Sequence, residues 1–449
     1  MANQFLNAQE YANVMLLLLK NQLVFGRLVD GQFKNQVTDE NGLMVSVKRP
    51  PRFIDKKDGT AALATQSIVV GSAPVAVDQY SKVHISVGDI EYISSYNSLM
   101  QNATMRSAAS TLAHSIDKFI AGKTTRFHSW VAGGDVALNA VLAGNATDPT
   151  KAVRSPGQAM GAHTRLMSQG VPNENLNGVV TFTDGQGIRG SLLSDFTPSL
   201  NVPALQRVRI PIISEVDWYA SQQLPILTAG TRTQGDGSTA GLQVDTANQN
   251  VDYEDVKGSA TDPEFMQQDL VLKGATTQTI KAGEVFTIQG VYAYDWRAQQ
   301  PLDYLQQFTV LADAVGVAGA VTVTISPAII VPNTGATQTI KDTNSAFATV
   351  DSIPADNAYI QFAGAASAKM VVRPVFHKRA ISLVSARLHT PFTGVASFAT
   401  DPETGISVRY WRGSDISTGD HVHRWDCMYG AAVLDPFLGT RLAGLAPDA

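Results

Sequence analysis

The sequence predicts an α+β body interrupted by an inserted β domain. Short strand signals separated by turn residues crowd together between residues 277 and 360, which is the pattern of a small barrel or sandwich. A segment rich in Gly, Thr, Asp, Asn and Gln, residues 230–263, precedes them, and a mixed helix and strand pattern returns after Met370. Because insertion at a surface loop is tolerated, one body with an inserted domain is the simplest interpretation.

The N-terminal part predicts a helix followed by a long exposed loop. Residues 8–28 place Tyr11, Met15 and Leu18 at helical spacing. Residues 42–59, GLMVSVKRPPRFIDKKDG, start like a strand that ends at the two prolines and continue as a dense basic patch. We therefore expect an arm, and after it one leg of an exposed loop.

A longer helix is predicted over residues 101–121. Its apolar stripe consists of Met105, Ala108, Ala109, Leu112, Ile116, Phe119 and Ile120. The residues that lie off this stripe are Arg106, Ser110, Asp117 and Lys118. A stripe of this length predicts a scaffold helix.

The remaining elements follow from the same helix and strand periodicities. Further helices are predicted at residues 157–168 and 191–196. Further strands are predicted at residues 66–70, 82–87, 179–183, 277–280, 285–288, 307–311, 321–325 and 358–360. The mixed pattern after Met370 includes residues 377–384 and 406–411.

The composition excludes several classes of protein. The 449 residues are 44% hydrophobic, which allows at least one large core and excludes a disordered or fibrous chain. Charged residues make up 16%, against about 25% in typical soluble domains, and buried subunit contacts deplete charge in this way. The net charge of −5 gives no overall attraction to nucleic acid. We therefore expect DNA near this protein to be contained rather than bound.

The single cysteine and the N-terminal apolar stretch carry little functional signal. Cys427 alone excludes an intrachain disulfide framework and a Cys-based zinc site, and a buried hydrophobic role is its simplest interpretation. Residues 14–19 are apolar, but no Lys or Arg precedes them and Lys20 follows at once. This pattern predicts neither a signal peptide nor a membrane span.

A glycine motif offers one alternative function. Gly185, Gly187 and Gly190 have the spacing of a dinucleotide fingerprint and follow a predicted strand, so a nucleotide-binding enzyme is one hypothesis. The following helix is cut short by Pro198, and no second βαβ unit is evident. A tight turn in which the glycines supply positive φ is the favoured interpretation.

A histidine pair is the other chemical candidate. His421 and His423 lie near Asp420, Asp426 and Cys427, and residues two apart on a strand share a face. The sequence specifies no third metal ligand, and motifs for hydrolases, nucleotide-phosphate loops and calcium loops are missing from it. We therefore predict no catalytic residue, no cofactor site and no metal site.

Two oppositely charged segments are the candidate contact sites. The basic segment consists of Lys48, Arg49, Arg52, Lys56 and Lys57. The acidic segment consists of Asp245, Asp252, Glu254 and Asp255. Charge runs are usually solvated faces or contacts to an oppositely charged partner, so we favour protein contact over DNA binding for the basic segment. The two segments are electrostatic complements that can meet between subunits of a repeating lattice.

Several sequence segments resemble those of the coat proteins of short-tailed phages of the Salmonella P-22 type. Residues 107–116, SAASTLAHSI, are similar to that family's spine helix, and residues 182–190, FTDGQGIRG, sit where it has a strand, a turn and a short helix. Residues 216–230, VDWYASQQLPILTAG, resemble the segment that leads to the family's inserted domain. Residues 281–291, KAGEVFTIQGV, are similar to the opening strands of that domain.

The resemblance implies a Hong Kong 97 (HK-97) capsid fold with an inserted antiparallel β-barrel-like domain. It implies, in chain order, an N-terminal arm at 1–42, an extended loop at 43–80, a peripheral domain with the spine helix at 81–175, a first axial part at 176–229, the inserted domain with a protruding acidic loop at 230–374, and a second axial part at 375–449. The basic segment would then contact a neighbouring subunit, and the acidic segment would contact a neighbouring capsomer. The Gly185 motif would be a structural turn.

The resemblance also implies a function and its partners. The protein would be a major capsid protein, not an enzyme, that self-assembles as pentamers and hexamers into an icosahedral head around double-stranded DNA without sequence-specific binding. Its further partners would be a scaffolding protein, a portal protein and, as an additional candidate, a decoration protein. It would be made in the host bacterial cytoplasm and end in the virion, with no membrane contact. A decoration protein or a non-viral compartment shell is the alternative structural hypothesis.

Overall fold

The computed structural model describes most of the chain with several gaps. The described residues are 8–35, 43–49, 51–55, 68, 72–87, 103–131, 147–148, 152–153, 156–195, 210, 212–233, 241–245, 250–253, 266–275, 277–333, 342–414 and 419–445. The chain divides into two compact units. The first unit comprises Met1–Val47, Pro74–Lys123 and Ile381–Val433, and the second comprises Lys48–Ala73, Thr124–Ala380 and Leu434–Ala449.

Helices and strands are both present, so the predicted α+β class is confirmed. The helices are α1 Ala8–Gln22, α2 Phe25–Leu28, α3 Ala103–Lys123, α4 Pro156–Ser168, α5 Phe182–Asp195 and α6 Asp342–Phe347. The first strands are β1 Met44–Lys48, β2 Ser72–Ala76, β3 Gln79–Val87, β4 Trp130–Val131, β5 Thr147–Asp148, β6 Leu176–Val180, β7 Val216–Ala220, β8 Ile226–Thr228, β9 Gln243–Val244, β10 Gln268–Ala275, β11 Thr279–Ile280 and β12 Val285–Asp295. They are followed by β13 Gln300–Val310, β14 Ala314–Val315, β15 Gly319–Ser326, β16 Ile360–Phe362, β17 Lys369–Val371, β18 Pro374–His377, β19 Ile381–Ala386, β20 Val395–Thr400, β21 Ser407–Ser414, β22 His421–Val433, β23 Gly439–Leu442 and β24 Gly444–Leu445.

In the first unit, two helices pack on an antiparallel sheet of five strands. The strand β22 is central and pairs with β3, β19 and β21, and β20 pairs with β21. Tyr11 of α1 packs on Tyr410 with ring centroids 5.4 Å apart, and Phe119 of α3 packs on Tyr429 at 5.6 Å. The apolar stripe predicted for α3 is therefore on the face that meets the rest of the unit, and its residues other than the partly exposed Phe119 are buried.

The burial of Asp117 differs from what the sequence predicts for α3. Asp117 lies off the apolar stripe, yet its side chain is buried, with 2% of the residue exposed. Its carboxylate accepts hydrogen bonds from the backbone N–H groups of Val24 at 2.8 Å and Gly26 at 3.1 Å. These groups lie where the predicted 8–28 helix breaks into α1 and α2, so Asp117 satisfies the first N–H groups of α2. Burial raises the pKa of Asp117 to about 6.

The second unit contains a mixed sheet of five strands in the order β4-β23-β18-β6-β7. The pairs β6–β7 and β23–β4 are parallel, while β18 runs antiparallel to both of its neighbours. The strand β6 is buried along its whole length, and residues of α4 and α5 such as Leu166 and Ile188 share a core with Val180 and Trp218. This sheet and its helices form the body part of the unit.

A six-stranded sheet in the second unit is nearly closed. Its order is β16-β12-β13-β15-β10-β9. The two ends approach each other, because Val244 donates its N–H to the carbonyl of Ala358 at 2.9 Å and Ile360 donates to Leu242 at 3.1 Å. Phe286, Phe308 and Phe362 belong to the buried core inside this sheet. The predicted small barrel is therefore present.

Most predicted elements are confirmed, with shifted ends. The strands at 285–288 and 307–311 are the start of β12 and the end of β13, and 358–360 overlaps β16 by one residue. The strand predicted at 179–183 is shifted toward the N-terminus, since β6 ends at Val180. The helix predicted at 191–196 begins much earlier, at Phe182. The strand predicted at 66–70 lies outside the described residues except for Ile68. Within the described part of the chain, no helix combines the length and apolar character required to cross a bilayer.

Candidate assembly surfaces

The glycine motif lies inside helix α5, so the predicted turn is wrong. None of Gly185, Gly187 and Gly190 has a positive φ. Thr181 and Asp184 form a capping box at the start of this helix: the Asp184 N–H donates to the Thr181 hydroxyl at 3.1 Å, and the Thr181 N–H donates to the Asp184 carboxylate at 3.1 Å. The reciprocal cap fixes the start of α5 before the first glycine.

The Asp184 carboxylate also occupies the place that a phosphate would take at a helix N-terminus. It forms a buried ion pair with Arg373, whose Nε lies 2.6 Å from Oδ2, and the backbone N–H of Val153 donates to Oδ1 at 2.7 Å. Both side chains are almost fully buried. A buried carboxylate in this position repels phosphate, so the geometry speaks against the nucleotide-binding hypothesis.

The histidine pair does not come together with its neighbouring acids. His423 is buried, its Nδ1 lies 2.7 Å from the Tyr410 hydroxyl, and burial lowers its pKa to about 4. Asp426 lies on the opposite face of β22, where it binds two arginines. Cys427 is buried, and burial raises its thiol pKa to about 12. No cluster of three or more metal-ligating side chains occurs among the described residues.

The start of the basic segment is attached to the body of the same unit. Lys48, at the end of β1, is exposed. Arg49 donates from Nε to the Leu434 carbonyl at 2.7 Å, and its guanidinium lies 4.0 Å from the Asp435 carboxylate. Lys56 and Lys57 lie outside the described residues. Among the described side chains of the basic segment, Lys48 is therefore the most accessible to a neighbouring subunit.

Arg52 is held among aromatic rings. Its guanidinium carbon lies 5.4 Å from the ring centroids of Trp296 and Phe347 and 5.7 Å from that of Phe437. Desolvation lowers the pKa of Arg52 below its ordinary value. Trp296 follows β12 of the nearly closed sheet, whereas Phe437 belongs to the body part of the unit. Arg52 thus holds the middle of the basic segment, ahead of Lys56 and Lys57.

The acidic segment passes through the same aromatic cluster at Tyr253. The Tyr253 ring stacks on Phe347, with centroids 4.1 Å apart and planes 7° from parallel, and the Tyr253 N–H donates to the Asn344 side chain at 3.0 Å. Asp245 and Asp252 are partly buried. Glu254 and Asp255, which follow Tyr253 directly, lie outside the described residues. Phe347 therefore lies against both charged segments, at Arg52 and at Tyr253.

A second buried ion pair lies at the base of the nearly closed sheet. Arg232 Nε is 3.1 Å from the Glu284 carboxylate, and both side chains are buried. The arginine also donates to the carbonyls of Ala363 and Gly364 at 3.1 and 3.2 Å, and Glu284 accepts from the Gly230 N–H at 3.2 Å. The ion pair joins the chain that enters the sheet near Gly230 to the start of β12. The hydrogen bonds of Arg232 join the same entering chain to the residues that follow β16. Sequence reasoning missed these residues, because single charges next to turns and strand ends carry no periodic signal.

Comparison with known proteins identifies the family. The family model described as P22 coat protein, gene protein 5, matches residues 217–444, slightly more than half of the chain. This chain belongs to the P22 coat protein family. The matched region contains the acidic segment and the Arg232–Glu284 pair, while the basic segment precedes it. No curated protein sequence matches the chain.

Solved structures similar to this coat protein come from phage capsids. One from Mycobacterium phage Che8 is 13% identical and covers 94% of this chain and 90% of its own, with a TM-score of 0.44. The capsid of Ralstonia phage GP4 is 7% identical, covers 96% and 92%, and has a TM-score of 0.42. The CUS-3 coat protein I-domain is 32% identical over 28% of this chain and 97% of its own, with a TM-score of 0.20.

Family membership confirms the main functional prediction. The protein is a major capsid protein that forms the phage head, its copies associate with one another, and its location is the capsid of the virion. The coat family is a family of structural proteins. Family membership therefore favours the coat protein over the decoration-protein and compartment-shell alternatives.

Proposed function

We propose that this coat protein assembles as pentamers and hexamers that are joined through the basic and acidic segments. Assembly would use a scaffolding protein and a portal protein, with a decoration protein as an additional candidate, and would start from chains made in the bacterial cytoplasm. The finished shell would enclose double-stranded DNA without sequence-specific contacts. The aromatic cluster of Arg52, Tyr253, Trp296, Phe347 and Phe437 is the observation that carries the proposal.

The cluster supports the proposal because it holds each charged segment at one point, the basic one at Arg52 and the acidic one at Tyr253. A flexible charged tail loses conformational entropy when it binds, whereas a segment that is held at one point loses less. The Arg52 guanidinium carbon lies 5.4 Å from the Phe347 ring centroid, and the Tyr253 ring centroid lies 4.1 Å from it. The residues that follow them in the sequence carry opposite charges, Lys56 and Lys57 after Arg52 and Glu254 and Asp255 after Tyr253.

The intrachain contacts also distinguish two groups of residues within the basic segment. Arg49 and Arg52 are occupied by partners in their own chain. We therefore propose that Lys48, Lys56 and Lys57 make the contacts with a neighbouring subunit. The acidic residues would face a neighbouring capsomer.

The predicted domain boundaries extend this proposal to the whole chain. The arm at 1–42 and the loop at 43–80 would reach adjacent subunits, the region 81–175 would be the peripheral domain, and the axial domain would consist of 176–229 and 375–449. The nearly closed sheet would be the centre of the inserted domain at 230–374. This arrangement corresponds to an HK-97 shell subunit with one additional domain.

Charge reversal of the acidic segment tests the proposal. Replacement of Asp252, Glu254 and Asp255 by Lys together is expected to lower the yield of closed particles about tenfold or more, because like charges would meet between capsomers. The subunit should keep its circular dichroism spectrum and unfolding midpoint. Particle yield is measured by sedimentation and electron microscopy of the full chain co-expressed with its scaffolding protein.

A compensating variant provides the matched control. Lys48→Glu, Lys56→Glu and Lys57→Glu together, placed in the charge-reversed chain, should restore a large part of the particle yield if the two segments meet. The neutral variant Asp252→Asn, Glu254→Gln and Asp255→Asn should assemble better than the reversed one. A normal particle yield from the charge-reversed chain would contradict the contact role of the acidic segment.

A further inference from the structure

In the five-stranded sheet of the first unit, helices α1 and α3 pack on one face. The opposite face carries basic and aromatic side chains. Tyr410, His423 and Tyr429 point to the side on which α1 and α3 pack. The strand register places the alternate residues on the other side. Lys82 and His84 on that side are exposed.

The register brings cations and aromatic rings together on this second face. Phe398, Arg409, Asp426 and Lys82 lie directly opposite one another across four neighbouring strands. Trp411, Arg424 and His84 form the next row. We call this surface the open face and define it by Lys82, His84, Phe398, Arg409, Trp411 and Arg424.

The open face is strongly positive. Asp426 is fully buried beneath it, 2.5 Å from Arg409 Nη2 and 2.6 Å from Arg424 Nε. Lys82 is exposed, and Arg387 lies over the Phe398 ring at 4.6 Å. Two arginines thus bind one carboxylate and Lys82 and Arg387 add two further positive charges, while the whole chain has a net charge of −5. The excess negative charge of every copy therefore lies elsewhere on its surface.

Phe392 stands beside this face, with its ring centroid 5.7 Å from that of His389 in the same loop. It is 98% exposed, more than any other large hydrophobic residue in the described part of the chain. Two side chains of the open face hold its loop in place: Arg409 donates to the His389 carbonyl at 2.8 Å, and the Trp411 indole N–H donates to the Thr393 carbonyl at 2.8 Å.

Gly394 ends the same loop, and any other residue at this position would be strained. Gly394 has a φ of +84°, and a Cβ at this position would lie 2.4 Å from the Arg412 carbonyl oxygen. The loop is thus bonded at two points and shaped by this glycine, so Phe392 is displayed by an ordered loop. An ordered, fully exposed aromatic side chain is the arrangement of an interface anchor.

We propose that Phe392 and the open face together form a contact site for a second copy of this chain. The inference rests on the coat function, in which each subunit must bury surface against other copies. Tryptophan and arginine are among the residues most enriched at the centre of interfaces, and the open face combines Trp411, Arg409 and Arg424 with an aromatic anchor. A second copy is the complementary partner, because its remaining surface is net negative.

Substitution of Phe392 tests the inference in the full chain. Phe392→Ala should leave the circular dichroism spectrum and unfolding midpoint of the free subunit unchanged, because the side chain is almost fully exposed. The subunit concentration needed for half-maximal particle formation should rise about tenfold or more. Phe392→Tyr retains the ring and should assemble at nearly the normal concentration. Lys82→Glu with Arg387→Glu should impair assembly and make its salt dependence weaker.

The outcomes separate this inference from the coat function itself. If the natural chain forms particles and Phe392→Ala forms them at the same concentration, the open face is not a subunit contact. If Lys82→Glu with Arg387→Glu assembles normally but its subunit loses binding to double-stranded DNA, the face binds phosphate and the inference is overturned. A natural chain that forms no particles with its scaffolding protein would instead contradict the coat function.

Discussion

Asp184→Ala is expected to lower the free energy of unfolding of the chain by about 3–5 kcal/mol, because it leaves the buried Arg373 guanidinium without its carboxylate. The Asp184 carboxylate accepts four hydrogen bonds, from Arg373, the Val153 N–H, and the N–H and hydroxyl of Thr181. The substitution therefore removes the capping box of α5 as well as the ion pair. Urea unfolding followed by circular dichroism measures the change.

An exposed ion pair provides the matched control for Asp184→Ala. Lys281 Nζ lies 2.7 Å from the Asp313 carboxylate, and both side chains are about half exposed. Lys281→Ala should lower the free energy of unfolding by about 1 kcal/mol or less. Asp184→Leu combined with Arg373→Met should recover part of the loss, since no buried charge remains unpaired. Equal effects of Asp184→Ala and Lys281→Ala would contradict the buried pair.

Gly230→Ala is expected to have a comparable effect for a steric reason. A Cβ on Gly230 would lie 1.9 Å from the Thr279 carbonyl oxygen, far inside van der Waals contact. The Gly230 carbonyl also accepts from the Ser367 N–H at 3.0 Å, so the backbone cannot shift without losing a bond at the base of the nearly closed sheet. We expect a loss of about 3 kcal/mol or more, or an insoluble chain.

Gly190→Ala is the control for that substitution and tests the helical position of the motif. Gly190 lies in α5, and no atom lies within 4 Å of the position that a Cβ would take. Alanine at an exposed helical glycine should raise the free energy of unfolding by about 0.5–1 kcal/mol. A loss of stability in Gly190→Ala would indicate a turn with positive φ, and normal stability in Gly230→Ala would contradict the close packing at Thr279.

The sequence predicts those parts of the fold that a local pattern encodes. The apolar stripe of α3 and the alternating residues of β3 predict both elements, because burial of one face leaves a periodic signal. The same pattern misplaces Asp117, since its burial depends on N–H groups that α2 supplies from a distant part of the chain. The motif at Gly185 is misassigned for another reason: the Thr181 and Asp184 spacing is that of a capping box, a signal present in the sequence and outweighed by the glycines.

The candidate site is only partly predictable from the sequence. The charges of the basic and acidic segments identify both segments as contact candidates, and this part needs no structure. The aromatic cluster that joins them needs Arg52, Tyr253, Trp296, Phe347 and Phe437 from five separate stretches of chain. No spacing rule relates residues that meet only through tertiary packing. For the same reason, the sequence leaves Phe392 indistinguishable from a buried phenylalanine.

Particle formation by the natural chain is the most direct test of the central claim that this protein is a shell subunit. The full chain is co-expressed with the scaffolding protein proposed for it, and the lysate is separated by sedimentation and viewed by electron microscopy. Closed shells of uniform size that contain this chain as the main component are the expected result. A chain that sediments as a monomer at every concentration, with every assembly partner present, would contradict the claim.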